Sequence, residues 1–189
     1  VDCFVIHKRY MKNYLALLRG INVSGQKMIK MPALAAMFTQ LGFTDVATYI
    51  QSGNVLFNSH VPDTNAINNS IKSAILDRFG FDVEIITLTS HLLAQAIAQN
   101  PFIKSGNTNT EKMYLTFLKE TPNPDLAEKL LQTNYLPEEI QIINRWVYFY
   151  SPESYGRAKL NNNFIESKLK TAATTRNWKT ILTLQTLLA

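Results

Sequence analysis

Cysteine is almost missing from this chain: its 189 residues include one, Cys3, so no internal disulfide can form and folding must rest on a packed core. A single thiol fits a reducing, cytoplasmic setting. Histidine is nearly as scarce. His60 and His91 stand alone beside loops, without the spacing a metal site needs, so no metal or cofactor is expected. No apolar run approaches the ~20 residues of a membrane helix, and no membrane partner is expected. A Gly-x-Ser-x-Gly nucleophile elbow is absent. The carboxylate pairs Glu138-Glu139 and Asp125/Glu128 fall at element starts, where a helix dipole or solvent accounts for them, so nothing marks a general base and enzymatic activity is left open.

What is present is an ordinary globule, 46% hydrophobic and 17% charged. Residues 1–12 read as a leader or non-native extension, because Met11-Lys12-Asn13 stands directly before the first apolar run. The net charge of +5 is unevenly spread. Residues 1–143 hold 12 basic and 12 acidic side chains, whereas residues 144–189 hold 7 basic and only 2 acidic, Glu153 and Glu166. That asymmetry points to an anionic partner for the last quarter, or merely to solvated helix faces.

Hydrophobic periodicity predicts seven strands and six helices. Strands are expected at 14–18, 46–50, 55–57 and 83–88, with helices opened by Pro32 and by a cap at Asp63 or Thr64. The order strand-helix-strand-strand-helix-strand is that of the split βαβ, ferredoxin-like fold. A helix capped by Ser90 and ended by Asn100-Pro101, then a polar loop, makes a linker over 89–112. The order then repeats: a strand at 113–118, a helix after Asn123-Pro124, a hairpin around Asn144-Arg145 and a helix over 157–170. Helix starts at 32 and 124, and hairpin tips at 53 and 145, each differ by 92. The expected fold class is therefore α+β, with two ferredoxin-like halves at 13–88 and 113–189. The second half is expected to end in helices, Thr174-Thr175 capping the last one, instead of a closing strand.

Polar residues gather where this order puts strand ends. Arg19 closes the apolar run Tyr14-Leu15-Ala16-Leu17-Leu18, and Gln51, Ser52 and Asn54 surround a hairpin tip that antiparallel pairing brings to the same sheet edge. Ser52 and Asn54 are also ordinary turn residues. Gly20-Ile21-Asn22-Val23-Ser24-Gly25-Gln26-Lys27 imitates a phosphate-binding loop, but Gln26 displaces the lysine, no Ser or Thr follows for Mg²⁺, and the helix starts too late. Only a looser cradle of backbone amides is compatible with it. Trp146, Tyr148 and Tyr150 alternate along one strand beside Arg145. Such a stripe stacks nucleobases on some ferredoxin-like sheets, although the RNA-recognition signature is absent and burial under a neighbouring layer is the commoner cause.

Five ordered runs carry a resemblance: Leu17-Leu18-Arg19-Gly20-Ile21-Asn22-Val23, Thr48-Tyr49-Ile50-Gln51-Ser52-Gly53-Asn54-Val55, Asn100-Pro101-Phe102, Tyr155-Gly156-Arg157-Ala158-Lys159-Leu160 and Thr174-Thr175-Arg176-Asn177-Trp178. Together they resemble the motifs of the bacterial family called domain of unknown function 1697, from Tyr14 to the C-terminus. The chain departs from that pattern at Ser24, often Gly, and at Ala158, often a hydroxyl residue. The resemblance implies a cytoplasmic α+β protein and supplies no activity. Three readings follow from the residues. In the first, Arg19, Asn22, Gln51, Ser52, Asn54, Arg157, Lys159, Arg176 and Asn177 bind a small phosphate- or carboxylate-bearing ligand between the halves. In the second, the basic last quarter binds nucleic acid. In the third, the arginines are buried ties that dock the halves.

Overall fold

Along the first strand, β1 (Lys12–Leu18), side chains alternate between two cores, and that alternation sets the layering of the whole molecule. Tyr14, Ala16 and Leu18 face one apolar cluster, while Leu15 and Leu17 face another. The computed structural model of the chain describes residues 12–153 and 155–188; the expected leader, with Cys3 and His7, lies almost wholly outside them. After β1 come α1 (Met31–Gln40), β2 (Thr44–Tyr49), β3 (Asn54–Ser59), α2 (Thr64–Phe79) and β4 (Ile85–Thr89). They form an antiparallel sheet ordered β2-β3-β1-β4, with α1 and α2 packed on the Tyr14 side. Next follow α3 (Ser90–Ala98) and the single-turn α4 (Pro101–Lys104).

The second half comprises β5 (Met113–Leu118), α5 (Pro124–Leu131), β6 (Glu139–Ile143), β7 (Trp146–Tyr150), α6 (Asn162–Leu169) and β8 (Ala173–Asn177), ordered β6-β7-β5-β8. Substituting β5 for β1 and so on through β8 reproduces the first sheet's order, so both halves are split βαβ units. Helices α5 and α6 cover the outer face of this sheet through Val147 and Phe149. Between the two sheets lies a shared core of Leu15, Leu17, Phe117, Trp146, Tyr148 and neighbours. It is completed by Leu93 and Ala96 of α3 and by Trp178, Ile181 and Leu184 of the last helix, α7 (Trp178–Leu188). Fully buried aromatic and aliphatic side chains are each worth about 1.5–3 kcal/mol, so this shared layer holds the halves together as one body.

Several expectations change at this level. The second half does possess a closing strand. Residues 174–176 pair with β5, Thr175 opposite Thr116, with their hydroxyl oxygens 2.7 Å apart. Threonines favour strands through their β-branching as well as helix caps through their hydroxyls, and the open edge of β5 decides between the two. The cap of α7 belongs to Asn177, whose Oδ1 accepts from the Thr180 N–H at 2.8 Å. The helix expected over 157–170 is shorter. A 3₁₀ turn, Tyr155–Arg157, precedes it, and Asn161 caps α6 by accepting from the Phe164 N–H, because asparagine side chains compete for backbone groups at a helix start. Thr89 caps α3 in place of Ser90, and Asn100 opens α4 as well as following α3. Trp146 and Tyr148 are sealed in the shared core, the Tyr148 hydroxyl donating to the Ala96 carbonyl at 2.7 Å, so neither ring is free to stack a nucleobase.

Candidate functional site

The end of β1, the tip of the β2-β3 hairpin and the end of β8 meet where the two sheets diverge. The Leu18 N–H donates to the Gly53 carbonyl at 2.8 Å, which brings Arg19 beside Ser52 as the antiparallel pairing requires. Gly53 is needed there. With φ of +74°, a Cβ on it would stand 2.8 Å from Leu18 Cβ and 2.9 Å from a side-chain carbon of Ile21.

Arg176 rises from β8 into this junction and is 8% exposed. Its Nε donates to Asn54 Oδ1 at 2.5 Å, Nη1 to Thr174 Oγ1 at 2.7 Å and the Thr175 carbonyl at 2.9 Å, and Nη2 to the carbonyls of Ser52 and Leu18 at 2.9 and 3.1 Å. Every guanidinium N–H is thus spent on a neutral acceptor, three of them in the other half. Asn54 is itself fully buried and donates back to the Tyr49 carbonyl and Ser52 Oγ, each at 3.0 Å. Among the described residues no carboxylate pairs with Arg176. Burial pulls its pKa down to about 10, which still leaves it charged at neutral pH.

Arg19 is treated differently. Its side chain is 32% exposed and forms a two-pronged pair with Glu166 of α6: Nε to Oε1 at 2.6 Å, and Nη2 to Oε2. Nη2 also reaches Asn163 Oδ1 at 3.0 Å. The hydrogen bond to Glu166 raises the arginine's pKa, against the opposing effect of desolvation. Glu166 in turn accepts from the Ala173 N–H at 2.8 Å, which locks the pair to the start of β8. A second tie joins the halves nearby, where Glu84 accepts from Lys72 and, at 2.7 Å, from Lys119.

Beside Arg19 and Arg176 lies an open cleft of about 290 Å³. Arg176 and Thr174 line it together with Arg19, Ser52, Tyr155 and the run Asn161-Asn162-Asn163. Tyr155 separates it from a neighbouring hollow bounded by Ile50, Tyr114 and Asn177. Ile50 reaches that hollow from a φ of +49°, a conformation β-branched residues rarely adopt.

Of the nine residues expected in one site, Arg19, Ser52 and Arg176 line this cleft, Asn54 lies beneath Arg176, and Asn177 lies across Tyr155. Asn22 and Gln51 sit apart, in a hollow with Met28 and Pro32. The Asn22 amide is committed to the loop, bonding the Ile29 N–H and carbonyl and the Gln51 carbonyl. The 20–27 loop closes on itself through Asn22 N–H to the Lys27 carbonyl and Gln26 N–H to the Val23 carbonyl, which uses two of the amides a cradle would need. Arg157 is exposed, and Lys159 lines a separate groove on the second half. Sequence reasoning missed Glu166, Asn162, Asn163 and Tyr155. Two signals were available: Tyr155 opens one of the five ordered runs, and Glu166 is one of two carboxylates in a strongly basic segment.

The architecture therefore defines an α+β protein of two like sheets joined through a shared core, with a polar cleft at their junction. The family model described as "Protein of unknown function (DUF1697)" matches residues 11–148, and the chain belongs to that family. Among solved structures it is similar to the conserved bacterial protein SP0830 from Streptococcus pneumoniae. The TM-score is 0.75 at 22% identity, covering 95% of this chain and 99% of that one, a likeness of fold. A search of curated proteins found no match.

Proposed function

We propose that the chain binds a small anionic ligand, carrying a carboxylate or phosphate, in the cleft between its halves. The observation that carries this reading is the unneutralised charge of Arg176 under the cleft floor. A guanidinium buried among carbonyls, with no carboxylate paired to it among the described residues, projects a positive potential into the adjoining space. Arg176 acts here through its field, since its N–H groups are already engaged. Direct contacts fall to the rim: the side-chain amides of Asn162 and Asn163, the Tyr155 hydroxyl and the outer nitrogen of Arg19. The Tyr155 oxygen accepts from the Asn162 N–H at 3.1 Å, which leaves its own proton to donate. The purely structural reading of the same arginines rests on the same bonds, and one variant separates the two.

Asn162→Asp places a negative charge in the cleft while keeping an oxygen for the Thr175 hydroxyl, which Asn162 Oδ1 now accepts at 3.1 Å. It stands at the first position of α6, where a carboxylate suits the helix dipole, so the fold is expected to survive. Wild type should gain thermal stability with inorganic phosphate or succinate, and the variant should not. If neither anion shifts the wild type, or if both proteins shift alike, the cleft is a docking seam and nothing more.

A further inference from the structure

On the outer face of the second half, far in sequence from the hairpin tip, α5 and α6 enclose a groove of about 400 Å³. Four lysines line it: Lys129 on α5, Lys159 before α6, and Lys168 and Lys170 at the end of α6. No carboxylate is among its lining residues, and none of the four lysines forms an ion pair among the described residues. The floor is apolar and aromatic. Tyr135 and Phe164 meet edge to face at 5.7 Å, with Lys159 Nζ 5.4 Å from the Tyr135 centroid and Lys168 Nζ 5.4 Å from that of Phe164. Three acids nearby in sequence are engaged elsewhere: Glu138 accepts from the Lys159 and Leu160 N–H groups at 2.7 and 2.8 Å, Glu128 from the Gln132 side-chain amide at 2.9 Å, and Glu166 is paired with Arg19.

Lys129, Lys168 and Lys170 stand near helix C-termini, where a cation eases the dipole. That explains each of them singly. It does not explain why two helices and the preceding loop direct four ammonium groups at one concavity, against mutual repulsion and with no counter-charge. Lys170 even occupies a left-handed C-cap, φ 55°, where glycine is the usual residue.

We infer that this groove is a second binding site, independent of the cleft, for a compact organic polyphosphate: several phosphates gripped by the lysines, with an apolar or ring portion on Tyr135 and Phe164. Concavity and volume favour a small molecule, since the groove lies within the ~300–1,000 Å³ of small-ligand pockets. An extended nucleic-acid strand would instead call for a long basic track with exposed rings, and the aromatic stripe of β7 is buried.

The test is calorimetric titration of the full chain with inorganic tripolyphosphate at low salt. Lys159→Ala/Lys168→Ala alters exposed side chains whose contacts are surface cation–ring ones, so its unliganded melting temperature should stay within a few degrees of wild type. Its affinity should fall by at least about tenfold, while Asn162→Asp in the cleft should bind tripolyphosphate as wild type does. Absence of binding by wild type would overturn the inference. So would affinity lost in Asn162→Asp but kept in the lysine variant, which would assign the anion to the cleft. A single-stranded oligonucleotide that binds more tightly than tripolyphosphate through the same lysines would also overturn it, making the surface a nucleic-acid track.

Discussion

Replacing Arg176 by methionine keeps most of the buried volume and removes the donors. Leu18, Ser52 and Asn54 then each lose a hydrogen bond that crosses between the halves. A buried acceptor left unpaired costs about 1–3 kcal/mol, so orphaning two or three of them comes to roughly 2–9 kcal/mol. Part of this is offset, because the variant no longer holds a cation away from water. A net loss of about 3 kcal/mol is expected, a large share of the ~5–15 kcal/mol that stabilises an ordinary domain. Urea unfolding followed by tryptophan fluorescence and by circular dichroism measures it, since Trp146 and Trp178 both lie in the shared core. Arg19→Ala supplies the contrast. Its pair with Glu166 is partly exposed, so the same assay should show a loss of about 1 kcal/mol or less, shrinking with salt. Arg176→Met unfolding within 1 kcal/mol of wild type would refute the view that its hydrogen bonds dock the halves.

Further outcomes follow from other contacts. Gly53→Ala should cost about 3 kcal/mol, combining a left-handed backbone with contacts under 3 Å to Leu18 and Ile21, as read by the urea midpoint. Asn100→Ala should cost about 1 kcal/mol in the same assay, because its Oδ1 caps α4 by accepting from the Phe102 N–H at 3.0 Å. Glu84 links acid to fold. Desolvation acts to raise its pKa, but hydrogen bonds from Lys119 and Lys72 prevail and hold it below the ordinary 4.5. A depressed carboxylate stabilises the folded state above its unfolded pKa and stops doing so as pH falls through the folded value. The stability gap between wild type and Glu84→Gln, measured by thermal melts, should therefore be largest near neutral pH and narrow below pH 4.5; a gap independent of pH would exclude the linkage.

Local chemistry carried much of the fold into view. Proline inside the first turn of α1 and after the Asn123 cap of α5, and Asp63 capping α2, report on neighbours a few residues away, and the 92-residue offset between hairpin tips shows that local order recurring. β8 was not legible for the opposite reason. Five residues with two threonines suit either a strand or a cap, and only the vacant edge of β5, some sixty residues earlier, resolves the choice. The site divides the same way. That Arg19, Ser52 and Asn54 share one sheet edge follows from hairpin geometry, but Glu166 as the partner of Arg19 depends on a contact across 147 positions. The convergence of the Lys159 groove with α5 likewise needs helix packing that periodicity does not encode.

Arg176 and the Leu18 carbonyl it holds are 158 residues apart, and α7, which seals the inner faces of both sheets, is later still. A ribosome adding about 5–20 residues each second delivers the carbonyl on the order of ten seconds before its donor. Through much of that interval the apolar face of the first sheet, Leu15, Leu17 and Leu56, is covered only in part: α3 brings Leu93 and Ala96 and the second sheet brings Phe117 and Trp146 before Trp178, Ile181 and Leu184 of α7 complete the layer. The nascent polypeptide is thus most prone to self-association in the middle of its own translation, and the arrival of α7 ends that vulnerable period.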